Sequence, residues 1–362
     1  MLGGIAAAVA VIFFVLAHEA GHFLAAKATG IKVTEFFVGF GPRLWSTKKG
    51  ETEYGVKALF FFGGYVRIIG MNPLEEVPPE DMGRTYREKK FWEKSVVVLA
   101  GVGTNFLIAF IMFWALFIAN GMSEPVPVIG SVVEDSPAAA AGLQPGDEIV
   151  GVGDTQVGEW EDATSVLAEA GPGPITIAVE RDGQVTYLEA DLAESETIPG
   201  AGFLGITAQV IDVAVGPFEA VGLAGEAVWG GVEDTFYSLY QMFRPSSLAQ
   251  YIGVFGGDTD VPDEIRPVSP IGIVSIGSQT ASNASAFFGI MAYINVILAT
   301  INLLPLFPLD GGHFAVAVYE KVTGREANVR KLMPVAAAVI ATLFFLGFVA
   351  IILDIIDPIS FG

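Results

Sequence analysis

His18, Glu19 and His22 stand four residues apart within the apolar run Ile5 to Ala26, in the order His-Glu-Ala-Gly-His. On a helix, side chains four apart share a face, so both imidazoles can bind one Zn²⁺ while Glu19 sits beside them to take a proton from water. Two histidines and a water leave a catalytic zinc one protein ligand short. The chain has no cysteine and only three histidines. The missing ligand must therefore be His, Asp or Glu, and the stretch Asn302-Leu-Leu-Pro-Leu-Phe-Pro-Leu-Asp310-Gly-Gly-His313 offers Asp310 and His313. Spacing alone does not choose between them.

Both groups must be carried to one level by the elements that hold them. Four runs are long and apolar enough for a span, which takes roughly 20 helical residues: Ile5 to Ala26, Ser95 to Ala119, Ala286 to Leu309 and Pro334 to Ile356. At about 1.5 Å per residue, His22 lies roughly 8 Å and His18 roughly 13 Å from the Lys27 end of the first span. The third span, running the same way, reaches that end at Asp310.

The 362 residues are 52% hydrophobic and carry 19 Lys+Arg against 40 Asp+Glu, for a net charge of -21. Such a chain has little material for a phosphate-binding surface, so nucleic acid is excluded as a partner. Twelve of the 19 cations fall between Lys27 and Lys94, whereas residues 121–285 hold three cations and 25 acids. Cations near span ends are retained in the cytoplasm. Both termini and the large middle segment are therefore expected outside a bacterial plasma membrane, with the reactive residues towards the cytoplasmic side. The start, Met-Leu-Gly-Gly-Ile, lacks the cationic region of a secretory signal, and the first span is read as retained.

Taken together, His-Glu-x-x-His in the first span and Asn302…Leu309-Asp310-Gly311 in a later one resemble the site-2 protease family of intramembrane zinc metalloproteases. Phe37-Val-Gly-Phe-Gly-Pro42 and Tyr54-Gly-Val-Lys57 are most similar to its actinobacterial regulatory members. The resemblance implies His18, His22 and Asp310 as zinc ligands, Glu19 as general base and Asn302 as a catalytic group near the scissile peptide, leaving His313 outside the ligand set. It implies an intramembrane endopeptidase acting in regulated intramembrane proteolysis on single-span proteins such as anti-sigma factors already trimmed outside the membrane. Two departures from the family pattern stand in this chain. Phe307 occupies the place of a second proline, with Pro308 after it, and Gly101-Val-Gly-Thr-Asn105 replaces Gly-Pro-x-x-Asn. These bear on the backbone path around Asn302 and Asn105. The rival functions are a non-catalytic membrane adaptor, against which the intact Glu19 argues, and a metal transporter or membrane oxidase, for which three histidines are too few.

The expected architecture is a polytopic α-helical membrane protein with four transmembrane helices, a membrane-associated β-hairpin or sheet, and one inserted extracytoplasmic PDZ domain of α+β type. Its expected divisions are the first helix (1–30), a β region and loop (31–93), the second helix (94–120), the PDZ domain (121–215), an amphipathic helix and linker (216–285), the third helix (286–309), a cytoplasmic loop (310–333) and the fourth helix with the C-terminus (334–362). Ile31 to Trp45 and Glu53 to Ile69 read as paired strands, which either present substrate by strand addition, as the family resemblance implies, or only pack on the helices. Ala141-Gly-Leu-Gln-Pro-Gly-Asp147-Glu-Ile149 resembles the signature of bacterial protease PDZ modules, which bind a peptide terminus or gate access; Arg181-Asp-Gly183 reads as a hairpin turn. Apolar residues at helical spacing between Gly216 and Phe243 predict an amphipathic helix lying on the outer membrane surface or packed on the PDZ. Residues 246–270 read as loop.

Overall fold

The computed structural model describes residues 2–72, 75–195, 198–262 and 265–359, apart from the side chains of Phe61, Phe62 and Val329. Two of the phenylalanines read as part of an apolar strand therefore lie outside the described side chains. The chain divides into two compact units, Met1–Phe117 with Pro217–Gly362, and Ile118–Gly216.

The first unit contains the four apolar helices. They are α1 (Leu2–Ala28), α2 (Phe91–Asn120), whose last residues pass into the other unit, α8 (Ala284–Leu303) and α10 (Met333–Ile356). Each is long and apolar enough to cross a membrane. Large apolar side chains such as Leu2 at 86% and Phe344 at 74% exposure point away from the protein. In water such surfaces would cost free energy; in hydrocarbon they cost none, and a helix satisfies its own backbone there. Small residues set the helix spacing: Gly3 and Gly4 of α1 lie against Gly277 and Val274 of α7 (Pro270–Thr280) and Ala281 just after it, and Gly21 lies against Ala100 and Thr104 of α2. Close backbone approach of this kind replaces the absent hydrophobic drive between lipid-bathed helices.

Between α1 and α2, β1 (Val33–Lys49) and β2 (Thr52–Ile68) pair antiparallel, as expected from their composition. The pairing is more than a hairpin. Phe36 and Phe37 of β1 face Tyr54 and Gly55 on one side and Val66 and Tyr65 on the other. Both strands thus fold back, and the part of β2 around Val66 becomes an outer edge. Ile31, Val33 and Ile68 bury this sheet with Ala25 and Ala26 of α1 and Val97 and Val98 of α2.

Three expectations are corrected. The third helix ends at Leu303 rather than Leu309, because Leu304 precedes Pro305 and takes an extended backbone, φ -58° and ψ 136°. Residues 310–333 are not simply a loop: α9 (Asp310–Thr323) begins with an acid in its first turn, has Lys321 in its last, and is closed by Gly324 at φ 65°. The predicted loop over 246–270 contains α6 (Pro245–Val254), started by a proline at a position where no N–H is needed, and the linker to 285 contains α7.

The amphipathic helix forms as α5 (Glu219–Met242), but its packing differs from the sequence reading. Its buried residues are Ala220, Ala224, Gly231 and Thr235, while Val221, Phe236, Tyr240 and Phe243 are exposed. Gly231 rests on Val296 and Tyr293, Asp234 accepts from the Tyr293 hydroxyl at 3.2 Å, and the Phe236–Phe243 end shares an apolar cavity with Leu304 and Leu306. α5 therefore runs alongside α8 in the same direction, held by small residues rather than by its large apolar face. Tyr251 and Val254 of α6 pack with Leu346, Val349 and Leu353 of α10.

In the second unit, β3 (Met122–Val132), α3 (Pro137–Ala141), β4 (Glu148–Val152), β5 (Thr155–Gln156), α4 (Trp160–Ala170), β6 (Gly173–Arg181), β7 (Gln184–Glu194), β8 (Gly202–Phe203) and β9 (Ile206–Val213) form a sheet in the order β8-β7-β6-β4-β3-β9, with β5 on β4. Ser136 caps α3 and Gly142, left-handed at φ 78°, ends it. Asp147, buried, accepts from the Gln144 amide at 2.8 Å and from Arg181 Nε and Nη2 at 2.6 Å. Asp182 and Gly183, at φ 53° and 75°, make the two-residue β6–β7 turn.

Candidate metal centre

α1 is one unbroken helix through the His-Glu-x-x-His segment, so His18 and His22 project from one face, and both are buried. His18 Nε2 lies 3.1 Å from His22 Nε2, and Asp310 Oδ2 lies 2.9 Å from the first and 3.1 Å from the second. Three potential ligand atoms thus converge from two chain segments 288 residues apart. With bonds of about 2.0–2.1 Å, a tetrahedral ion spaces its ligands by about 3.3 Å, so the triangle is of the right size for zinc and slightly contracted. Two buried imidazoles and a carboxylate are also a donor set zinc accepts.

The surroundings fix that geometry. His22 Nδ1 donates to the Val97 carbonyl oxygen at 2.8 Å, which leaves Nε2 free to face Asp310. Gly101 of α2 stands directly over both imidazoles: a Cβ there would fall against His22 Nε2 and His18 Cε1. Asp310 is brought in by the fold-back after α8. Leu306, Leu309 and Gly312 donate in succession to the carbonyls of Leu304, Leu306 and Leu309, and Gly311 and Gly312 lie so close to Leu303 and Phe307 that side chains there would strike backbone. Lys94 Nζ to Glu320 Oε2 at 2.9 Å ties α9 to α2.

Around the three atoms is a cavity of about 290 Å³, also lined by Glu19, Tyr65, Val66, Met71, Asn302 and His313. Val66 of β2 lines this cavity together with Glu19, and Gly64 lies next to the Glu19 side chain. The outer edge of β2 therefore runs past the residue expected to act as base. Asn302 lies in this cavity, in the last turn of α8, with Nδ2 donating to the Leu298 carbonyl at 3.0 Å. Asn105 does not: it is buried on α2, and its backbone carbonyl accepts from Asn295 Nδ2 at 2.9 Å.

His313, the competing ligand, lines the cavity but is not one of the three converging groups. Its ring sits 4.8 Å from the Phe307 ring, and burial holds its pKa below the ordinary histidine value. Three contributors escaped the sequence reading: the Val97 carbonyl, Gly101 and Met71. Only Gly101 left a trace there, as the first residue of the altered Gly-Val-Gly-Thr-Asn105 segment.

Known proteins share this chain's pattern nearly end to end. Residues 6–348 match the model of Peptidase family M50. The zinc metalloprotease Rip1 of Mycobacterium tuberculosis is 33% identical, with 97% of this chain and 96% of that protein covered. The zinc metalloprotease Rip1 of Mycolicibacterium smegmatis is 32% identical, with 99% and 98% covered.

Proposed function

The chain belongs to peptidase family M50, the site-2 protease family, and on that premise we propose that it is an intramembrane zinc endopeptidase with its reaction centre between α1 and α9. The observation that carries this reading is the convergence of His18 Nε2, His22 Nε2 and Asp310 Oδ2 within 3.1 Å, in the cavity that Glu19 also lines. His18, His22 and Asp310 would hold the ion. Zinc bound there polarises the scissile carbonyl and lowers the pKa of water towards about 7.

This chain's residues supply the rest. Glu19 takes a proton from the attacking water on a carboxylate oxygen as the new C–O bond forms at the carbonyl carbon, and then delivers it to the amide nitrogen as the peptide C–N bond breaks. Asn302 retains a second amide N–H beyond the one given to Leu298, and its place in the cavity suits donation to the carbonyl oxygen as charge builds there. A transmembrane helix has every carbonyl already hydrogen-bonded and must be unwound to react. Strand addition on the Val66 edge of β2 gives the unwound peptide replacement partners beside Glu19.

The substrate class is a single-span membrane protein such as an anti-sigma factor first shortened outside. The concentration of cations at 27–94 supports placing that segment in the cytoplasm, and both termini and residues 118–216 outside, in a bacterial plasma membrane. The Ile118–Gly216 unit is read as a PDZ domain, supported by its Ala141–Ile149 segment, its sheet and its two helices. Binding of a peptide terminus or exclusion of bulky ectodomains would be its contribution.

The test is Glu19→Gln protein in proteoliposomes with a single-span substrate. It should keep wild-type zinc content and lose cleavage by several orders of magnitude; cleavage at the wild-type rate would refute the assignment of the base. A non-catalytic adaptor would show no zinc-dependent cleavage in the wild type either.

A further inference from the structure

The aromatic end of α5 borders a cavity of about 530 Å³ that shares no lining residue with the metal cavity. Phe236, Tyr240 and Phe243 form one wall; Leu304 and Leu306, from the fold-back that leads to Asp310, form the other. Phe236, Tyr240, Phe243 and Leu306 are also exposed, so the cavity is open rather than enclosed. A volume within about 300–1,000 Å³, a mainly apolar wall and few polar groups are the properties of a small-molecule site.

One charge stands on that wall. Among the described residues, Arg244 is the only charged side chain lining the cavity. Residues 121–285 hold three cations against 25 acids. Arg181 pairs with Asp147 at 2.6 Å and Arg266 with Asp357 at 3.1 Å. Arg244, despite that excess of acid, forms no ion pair among the described residues. Its Nη1 donates to Gln241 Oε1 at 2.8 Å, and Gln241 Nε2 donates to the Tyr237 hydroxyl at 2.8 Å. A neutral chain of side chains thus holds the guanidinium at the end of α5 and leaves its other N–H groups for an anion.

We propose that this cavity binds an anionic phospholipid, with an acyl chain against Phe236, Phe243, Leu304 and Leu306 and the phosphate on Arg244. An open apolar wall beside a single uncommitted cation matches an amphiphile with an acidic head, and a guanidinium meets phosphate oxygens in a bidentate pair. The cavity adjoins the end of α8, the cytoplasmic end in the topology proposed above, and the cytoplasmic leaflet is the one that attracts basic side chains through its acidic head groups. A substrate span fits less well, because its cytoplasmic flank carries Lys and Arg and would set like charge against Arg244. The bound lipid would also brace the protein. Leu306 N–H donates to the Leu304 carbonyl at 2.7 Å in the turn that precedes Asp310, and the acyl chain would pack on that turn.

The head group is tested with full-length protein, delipidated in detergent and titrated with phosphatidylglycerol or phosphatidylcholine of the same chains, by native mass spectrometry. Wild type should bind one phosphatidylglycerol about five-fold more tightly than phosphatidylcholine. Arg244→Gln should bind the two equally, whereas Arg325→Gln, at an exposed cation outside the cavity, should keep the preference. Equal affinities in the wild type, or a preference undiminished in Arg244→Gln, would overturn the proposal. The place is tested by a benzophenone amino acid at Tyr240 in the Glu19→Gln background, in phosphatidylglycerol proteoliposomes holding a single-span substrate. Cross-linking to lipid is expected; cross-linking to the substrate span in its stead would make the cavity a path for substrate and overturn the proposal too. Neither readout depends on turnover, so the proteolytic reading stands or falls by its own test.

Discussion

The imidazole of His22 rests against the α-carbon of Gly101, and nothing larger than hydrogen fits between them. α2, which offers no ligand of its own, thereby limits how far α1's histidines can move from Asp310. A methyl at 101 must displace one or both rings. Gly101→Ala should reduce bound zinc below half an equivalent and activity at least ten-fold, whereas Gly103→Ala, with nothing near its Cβ, should keep both. Metal analysis of the two purified variants checks this, and equal zinc in both would show that α2 does not shape the centre.

The two candidates for third ligand separate by substitution. Asp310→Ala removes one of three converging atoms and should abolish tight zinc binding; His313→Ala should retain zinc, since that ring only borders the cavity. The opposite pattern would reassign the ligand.

Asp147 supplies a pH prediction for the Ile118–Gly216 unit. The hydrogen bonds from Arg181 hold its carboxyl below the ordinary aspartate value, against the effect of its burial. A depressed folded-state pKa means stabilisation that is complete above the unfolded pKa, about 3.9, and lost as pH falls through the folded value. Hydrogen exchange of the 144–147 turn in full-length protein should therefore be faster in Asp147→Asn than in wild type at pH 7. At pH 3 the two should approach each other, and a difference that grew with acid would contradict the pairing.

Asp354, buried in α10, accepts from the Ser269 amide at 2.8 Å, and Ser269 Oγ in turn caps α7. Asp354→Ala leaves that amide without its partner, at a cost of about 1–3 kcal/mol. A lower thermal midpoint in detergent, with zinc content unchanged, is the expected result; an unchanged midpoint would mean the amide finds another acceptor.

Much of this protein is legible in its residues, for reasons that also mark where legibility stops. The four spans are visible because hydrocarbon admits few alternatives to a long apolar helix, and their observed limits differ by a few residues except where Pro305 ends α8 early. His18, Glu19 and His22 are visible because their relation is local to one helix turn. The requirement for glycine at 101 is set by a ring 79 positions away and has no local signature. α5 illustrates a different failure: periodicity showed a helix, but its large apolar face is the exposed one, because its buried side is made of the small residues Ala220, Ala224, Gly231 and Thr235.

The 288 positions between His22 and Asp310 also set a clock. At about 5–20 residues per second, roughly a quarter of a minute to a minute separates the synthesis of the paired histidines from that of the carboxylate that completes their site. Throughout that interval α1 is already available to the membrane while its reactive face has only two of the three converging groups. A chain that ends before Asp310 lacks the third converging group and, on the proposed reading, cannot cut.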